Sequence, residues 1–164
     1  MNFVKFRLTD PWKKCPATAP NEALPVEMQQ LVAEVAHCEE QDKALHMAYE
    51  ALSKRYEGYR ILTALRLDRF FIRSLEKLWQ LQGFLHCHHM NYLLRTVLVA
   101  SGKFTPSDIE ACWTQIWFFS PHQYLKAHMH DGKVCEVDLW GKAYGIHLGE
   151  HAHGLHGGTI FKST

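Results

Sequence analysis

The sequence predicts an α+β domain in which a mainly helical N-terminal half packs on a small antiparallel β-sheet. Three observations carry this. Apolar residues recur at helical spacing through the first half, and aromatic and β-branched residues alternate after residue 112 around Asp131-Gly132. Between the two, Cys87 opens an apolar run long enough for a buried central helix, with the thiol at its N-terminus. The expected organisation is one domain over 1–164, divided into a helical scaffold at 1–78, a core at 79–145 and a His/Gly-rich tail at 146–164.

The elements follow in order. A proline-rich lead (Pro11, Pro16, Pro20, Pro25) gives way to Met28, Leu31, Val32, Val35 and Ala36 at helical spacing, with Pro25 suited to a first turn. The pattern continues through Leu45, Ala48 and Leu52 to Gly58, with a break expected near Glu39-Glu40-Gln41-Asp42. Residues 59–82 read mostly as helix, with Leu65, Leu67, Phe70, Phe71, Leu75, Leu78 and Trp79 as core, and Gly83 punctuates it. From His86, the positions Met90, Leu93, Leu94, Val97 and Leu98 form a wide stripe that Ser101-Gly102 closes. Thr105-Pro106-Ser107-Asp108 has the residue types of a helix start, so a short helix is expected over Ser107 to Cys112. Strands are expected over Trp113 to Phe119, Gln123 to Met129 and Val134 to Trp140.

Composition excludes several classes of partner. With 47% hydrophobic and 21% charged residues among 164, the chain has the make-up of an ordinary globular domain. Eighteen basic against seventeen acidic side chains give a formal charge of +1, which offers neither a nucleic-acid footprint nor a polybasic membrane patch. No window reaches the roughly 18 apolar residues that span a bilayer. The five cysteines (Cys15, Cys38, Cys87, Cys112, Cys135) are odd in number and form no CxxC pair, so free thiols in the cytoplasm are expected rather than a disulfide framework.

Cys87 has the setting of a nucleophile. A helix N-terminus carries unpaired N–H groups and a positive dipole end, which favour thiolate over thiol. The hairpin bears on its partner. In the first strand His122, Tyr124, Lys126 and His128 share a face; in the second, Glu136, Asp138 and Trp140 do. A two-residue Asp131-Gly132 turn pairs His130 with Lys133 and puts His122 on the opposite face from Asp138. A three-residue loop, His130-Asp131-Gly132 with Gly132 left-handed, pairs Met129 with Lys133 and brings His122 to the face of Asp138, opposite Trp140. The odd-length loop is expected, because a catalytic pair requires it.

These residues resemble the transglutaminase-like superfamily, whose papain-like core joins a cysteine at the start of a buried helix to a histidine and an aspartate on neighbouring strands. The match runs through Gly83-Phe84-Leu85-His86-Cys87, Ser120-Pro121-His122 and Gly132 to Trp140, over residues 79 to 145, with Leu139 where the family usually carries a proline. The resemblance implies acyl transfer. Cys87 would attack an amide carbonyl, His122 would take the thiol proton and return it to the leaving amine, and Asp138 would fix the imidazole's tautomer. The Cys87 backbone N–H would lead the oxyanion site, with the Gln82 side chain or the Trp79 indole beside it, and His86 and Trp140 would border the groove. Water as acceptor gives a peptidase or amidase, and a lysine amine gives a protein transglutaminase. The substrate would be a protein, a peptide or a small amide, and no cofactor is implied.

Two other readings compete. Twelve histidines are many for this length, and His86 with His89, or His151, His153 and His156, are conceivable zinc or nickel ligands. None of the established metal spacings occurs, however. The second is a binding module of the same fold with an idle triad.

Overall fold

The computed structural model describes residues 23–116 and 120–154. The proline-rich lead through Pro20, Cys15, the last three residues of the strand expected over Trp113 to Phe119, His156 and the tail beyond 154 lie outside the described residues. Pro25 sits at the N-cap of α1 (Val26–Ala36), where its fixed φ of −53° suits the turn and its missing N–H is no loss. The helix buries Met28, Leu31 and Val35. The expected break falls at residues 37–40, and α2 (Gln41–Arg55) then buries Ala44, Leu45, Ala48, Tyr49 and Leu52. It runs straight into β1 (Tyr56–Glu57).

Next come α3 (Arg60–Leu65), a 3-10 turn over Leu67–Phe71, and α4 (Leu75–Gln80), whose N-cap Ser74 accepts from the Lys77 amide. The core expected here divides. Leu75, Leu78 and Trp79 are buried, but Leu65, Leu67, Phe70 and Phe71 face solvent. The short irregular segment has no regular period with which to turn one face inward.

β2 (Gly83–Phe84) pairs parallel with β1, Tyr56 against Gly83 and Glu57 against Phe84. This pairing delivers the chain to α5 (Cys87–Ala100), the central helix. Met90, Leu93, Leu94, Val97 and Leu98 are fully buried, each contributing about 1.5–3 kcal/mol on folding. The helix packs on α1, α2, α4 and the sheet.

The sheet has the order β3 (Ile109–Ile116), β4 (Ser120–His128), β5 (Val134–Val137), all antiparallel. The helix expected over Ser107 to Cys112 is replaced by a turn and the start of β3. Asp108 accepts from the Thr105 amide and closes one turn, after which Ile109 to Ile116 pair with β4 in unbroken register. The hairpin has the odd-length loop: the Met129 amide donates to Lys133, Lys126 pairs with Glu136, and Gly132 takes φ +85°. Beyond β5, a 3-10 turn over Gly141–Tyr144 leads to residues 146–154. These cross the sheet from Glu136, bonded by the Gly149 amide, to Gln115, bonded by the Gly154 amide. No described helix is long and apolar enough to cross a membrane.

Candidate active site

The head of α5 and one face of the hairpin bring three chemically able side chains together. His86 is the N-cap and Cys87 the first helical residue. The amides of His89 and Met90 turn back to the His86 carbonyl, which leaves the N–H groups of Cys87 and His88 as the unsatisfied donors of the first turn. They are the donors available to a developing oxyanion.

On the sheet, Leu125 and Ala127 of β4 join the core while His122 and Tyr124 lie on the opposite face. His122 Nε2 donates to Asp138 Oδ2 at 2.7 Å, and the two residues are 3% and 1% exposed. Two backbone amides complete the carboxylate's shell: Gly141 donates to Oδ1 at 2.8 Å and Ala152 to Oδ2 at 2.9 Å. With Nε2 committed to Asp138, the other ring nitrogen, Nδ1, is the one left for Cys87.

The electrostatics follow from burial and pairing. Burial disfavours the Cys87 thiolate, but hydrogen bonds and charge from His122 and His88 outweigh it and bring the thiol down to about 6. Burial likewise works against a charged His122, yet the Asp138 carboxylate and the Cys87 sulfur push the imidazole up to about 10. Asp138 is held below the usual carboxylate range: burial opposes ionisation, and His122 and the two amides prevail. Both shifts run in the direction of a thiolate–imidazolium pair. By contrast, burial raises the Cys112 and Cys135 thiols.

Cys87, His122 and Asp138 are therefore brought together, with Trp140 packed beside His122, and Trp79 and Gln82 lie elsewhere. The Trp79 indole N–H donates to Glu27, so it is not an oxyanion donor. Trp79 and the exposed Gln82 line a separate cavity of about 700 Å³ with Glu27, Leu31, Arg55 and Tyr56. Trp140 is a buried wall rather than a groove residue. Its ring lies 5.3 Å from His122 and 5.1 Å from Tyr144, over the backbone of Gly58, where an added Cβ would lie 2.4 Å from it.

His86 is buried as well, its Nε2 bonded to the Arg66 carbonyl. His88 and His89 do the same to Phe70 and Ile72, so three imidazoles fasten residues 66–72 to the head of α5. That use explains the His86-Cys87-His88-His89 run. His86 and His89 aim at different carbonyls instead of at one metal position. Among the described residues, no three His, Cys, Asp or Glu side chains come together to hold a metal ion.

Two partners of Asp138 escaped the sequence reading. Gly141, three residues after the aspartate, fits a local turn and was in principle readable. Ala152 supplies only a backbone amide, for which no side-chain signature exists. Its neighbour His151 bonds Glu136 through Nδ1 at 2.6 Å and stacks on Tyr124 at 3.9 Å, which fixes the tail segment over the pair. Comparison with protein-family models, with curated proteins and with solved structures finds no match.

Proposed function

We propose that this chain is a cysteine-dependent acyl-transfer enzyme acting on amide or peptide bonds through a thioester, with Cys87 as nucleophile, His122 as general base and acid, and Asp138 as the group that orients the imidazole. One observation carries the reading: a buried His122–Asp138 pair, closed by two backbone amides, beside a thiol at a helix N-terminus. A purely structural role does not call for such an arrangement, since burying an ion pair is no better for stability than apolar packing of similar volume.

The steps balance with these residues alone. The thiolate adds to the carbonyl carbon, and the oxyanion takes hydrogen bonds from the Cys87 and His88 amides. The imidazolium then protonates the leaving nitrogen as the C–N bond breaks, giving the thioester. Neutral His122 takes a proton from water or from an amine as that nucleophile attacks, and the thiolate returns when the C–S bond breaks. Water yields a peptidase or amidase, and a lysine amine yields a transglutaminase. This order of residues supports reading the core as transglutaminase-like, and the reactive thiol suits the reducing cytoplasm.

The test is to trap the intermediate. With p-nitrophenyl acetate, one nitrophenolate per chain should appear as a burst, and Cys87 should carry the mass of one acetyl group. Adding a primary amine then shows whether the acetyl leaves to water or to nitrogen. No burst, or a burst that survives Cys87→Ser, rejects the reading and leaves a binding module of the same architecture.

A further inference from the structure

The segment fastened by the three histidines is built from residues that ordinarily avoid water. Leu65 is 70% exposed, Leu67 60%, Phe70 41% and Phe71 75%. Scattered apolar residues on a surface need no explanation, but contiguous ones mark a contact site. Here Leu67 and Phe70, three residues apart in the 3-10 turn, stand on one side of it. The Phe70 and Phe71 rings meet edge to face at 5.4 Å, and Phe70 lies 4.5 Å from His88 and 5.5 Å from His86.

Those two histidines flank Cys87 at the head of α5. Phe70 thus packs against the helix turn that carries the thiol. The platform is also fixed in place, by hydrogen bonds of 3.0, 3.3 and 3.0 Å from the three imidazoles to the Arg66, Phe70 and Ile72 carbonyls. On the other side the Arg60 amide donates to the Tyr144 hydroxyl. A surface so braced resists collapse onto its own core and keeps its rings presented.

Resting on the proposed thioester chemistry, we infer that Phe70, Phe71 and Leu67 form the subsite for an apolar or aromatic side chain of the acyl donor. The substrate class is then an amide or peptide with such a side chain next to the scissile carbonyl. Continuity of the patch with the first turn of α5, where Cys87 sits between His86 and His88, selects this occupant over a membrane or a second copy of the chain.

The test compares two electrophiles with the same warhead, iodoacetamide and N-phenethyl iodoacetamide. In each, the thiolate forms a C–S bond and iodide leaves. Rates at Cys87 are read by mass spectrometry at one pH in the full-length protein. Covering one phenyl ring predicts that the aromatic probe gains about tenfold over iodoacetamide. Phe71→Ser and Leu67→Ser, both surface changes, should each remove most of that gain and leave the iodoacetamide rate unchanged.

Fast iodoacetamide labelling without aromatic preference, or a preference that both variants keep, overturns the subsite but not the nucleophile. Slow labelling by both probes rejects the nucleophile itself. A wild-type dimer that Phe71→Ser converts to monomer, with the rate ratio unmoved, makes this face a contact between copies and overturns the subsite too.

Discussion

His122 Nε2 and Asp138 Oδ2 lie 2.7 Å apart, with both side chains closed to solvent. Removing the carboxylate leaves the imidazole and two backbone amides without their acceptor. Asp138→Ala should therefore lose about 3–5 kcal/mol of stability in a denaturant titration, the cost of breaking one side of a buried pair. A loss under 1 kcal/mol would mean that the pair is solvated.

Gly141→Ala probes the same carboxylate without removing it. A Cβ there would lie 2.7 Å from Asp138 Oδ2, 2.9 Å from its Cγ and 3.0 Å from Ile146. The expected result is a loss of about 1–3 kcal/mol, as for an overpacked core, with slower alkylation of Cys87 at pH 7. Unchanged reactivity in a destabilised variant would separate the aspartate's position from the state of the thiol.

Gly58→Ala acts on the wall behind the imidazole. The added Cβ would lie 2.4 Å from both the Trp140 ring and its carbonyl oxygen. The indole must shift, so near-ultraviolet circular dichroism should change along with Cys87 reactivity. A variant identical to the wild type in both would show that the Trp140 packing is dispensable.

Stability should depend on pH with a plateau and two limbs. Between about 6.5 and 9, the unfolded chain has lost the His122 proton and kept that of Cys87, while the folded chain has done the reverse; the proton counts match and the slope is zero. Above pH 9 the unfolded thiol ionises, but folded His122 keeps its proton to about 10, so stability falls as pH rises. On the acid side, burial first and then the neighbouring imidazoles hold His89 down at about 3, and burial lowers His86 as well. The unfolded chain therefore binds more protons below 6.5, and stability falls as pH falls, by about 1.4 kcal/mol per pH unit for each proton. His89→Gln keeps a donor for the Ile72 carbonyl and should flatten the acid limb in denaturant titrations across pH. A limb unchanged by it would assign the acid loss to other groups.

What was legible in the sequence depended on periodicity. The α5 stripe has the helical period over three turns, and strand alternation puts His122 and Asp138 on one face only if the loop is odd in length, which the sequence alone leaves open. Period fails where elements are short. Thr105 to Asp108 makes the same local hydrogen bonds whether or not a helix continues, so the local pattern does not mark the start of β3 at Ile109. Leu65 to Phe71 sit in a segment too irregular to declare a face. Long-range choices of polar partner were hidden as well: the Trp79 indole goes to Glu27, fifty-two residues earlier, and Asp138 takes an amide from Ala152 in the tail. A shared face for His122 and Asp138 is conditional on the loop, and the shell that supports them needs the three-dimensional arrangement.

The central claim is that Cys87 is a thiolate at neutral pH because His122 is charged beside it. Alkylation of the native protein with iodoacetamide across pH, reading each cysteine by mass spectrometry, tests it most directly. The account predicts that Cys87 labelling rises with a midpoint near about 6, far below that of Cys112, and that His122→Ala moves the midpoint up toward the ordinary thiol value. A Cys87 that reacts no faster than Cys38 or Cys112 below neutral pH, with a profile that His122→Ala leaves unmoved, would contradict it.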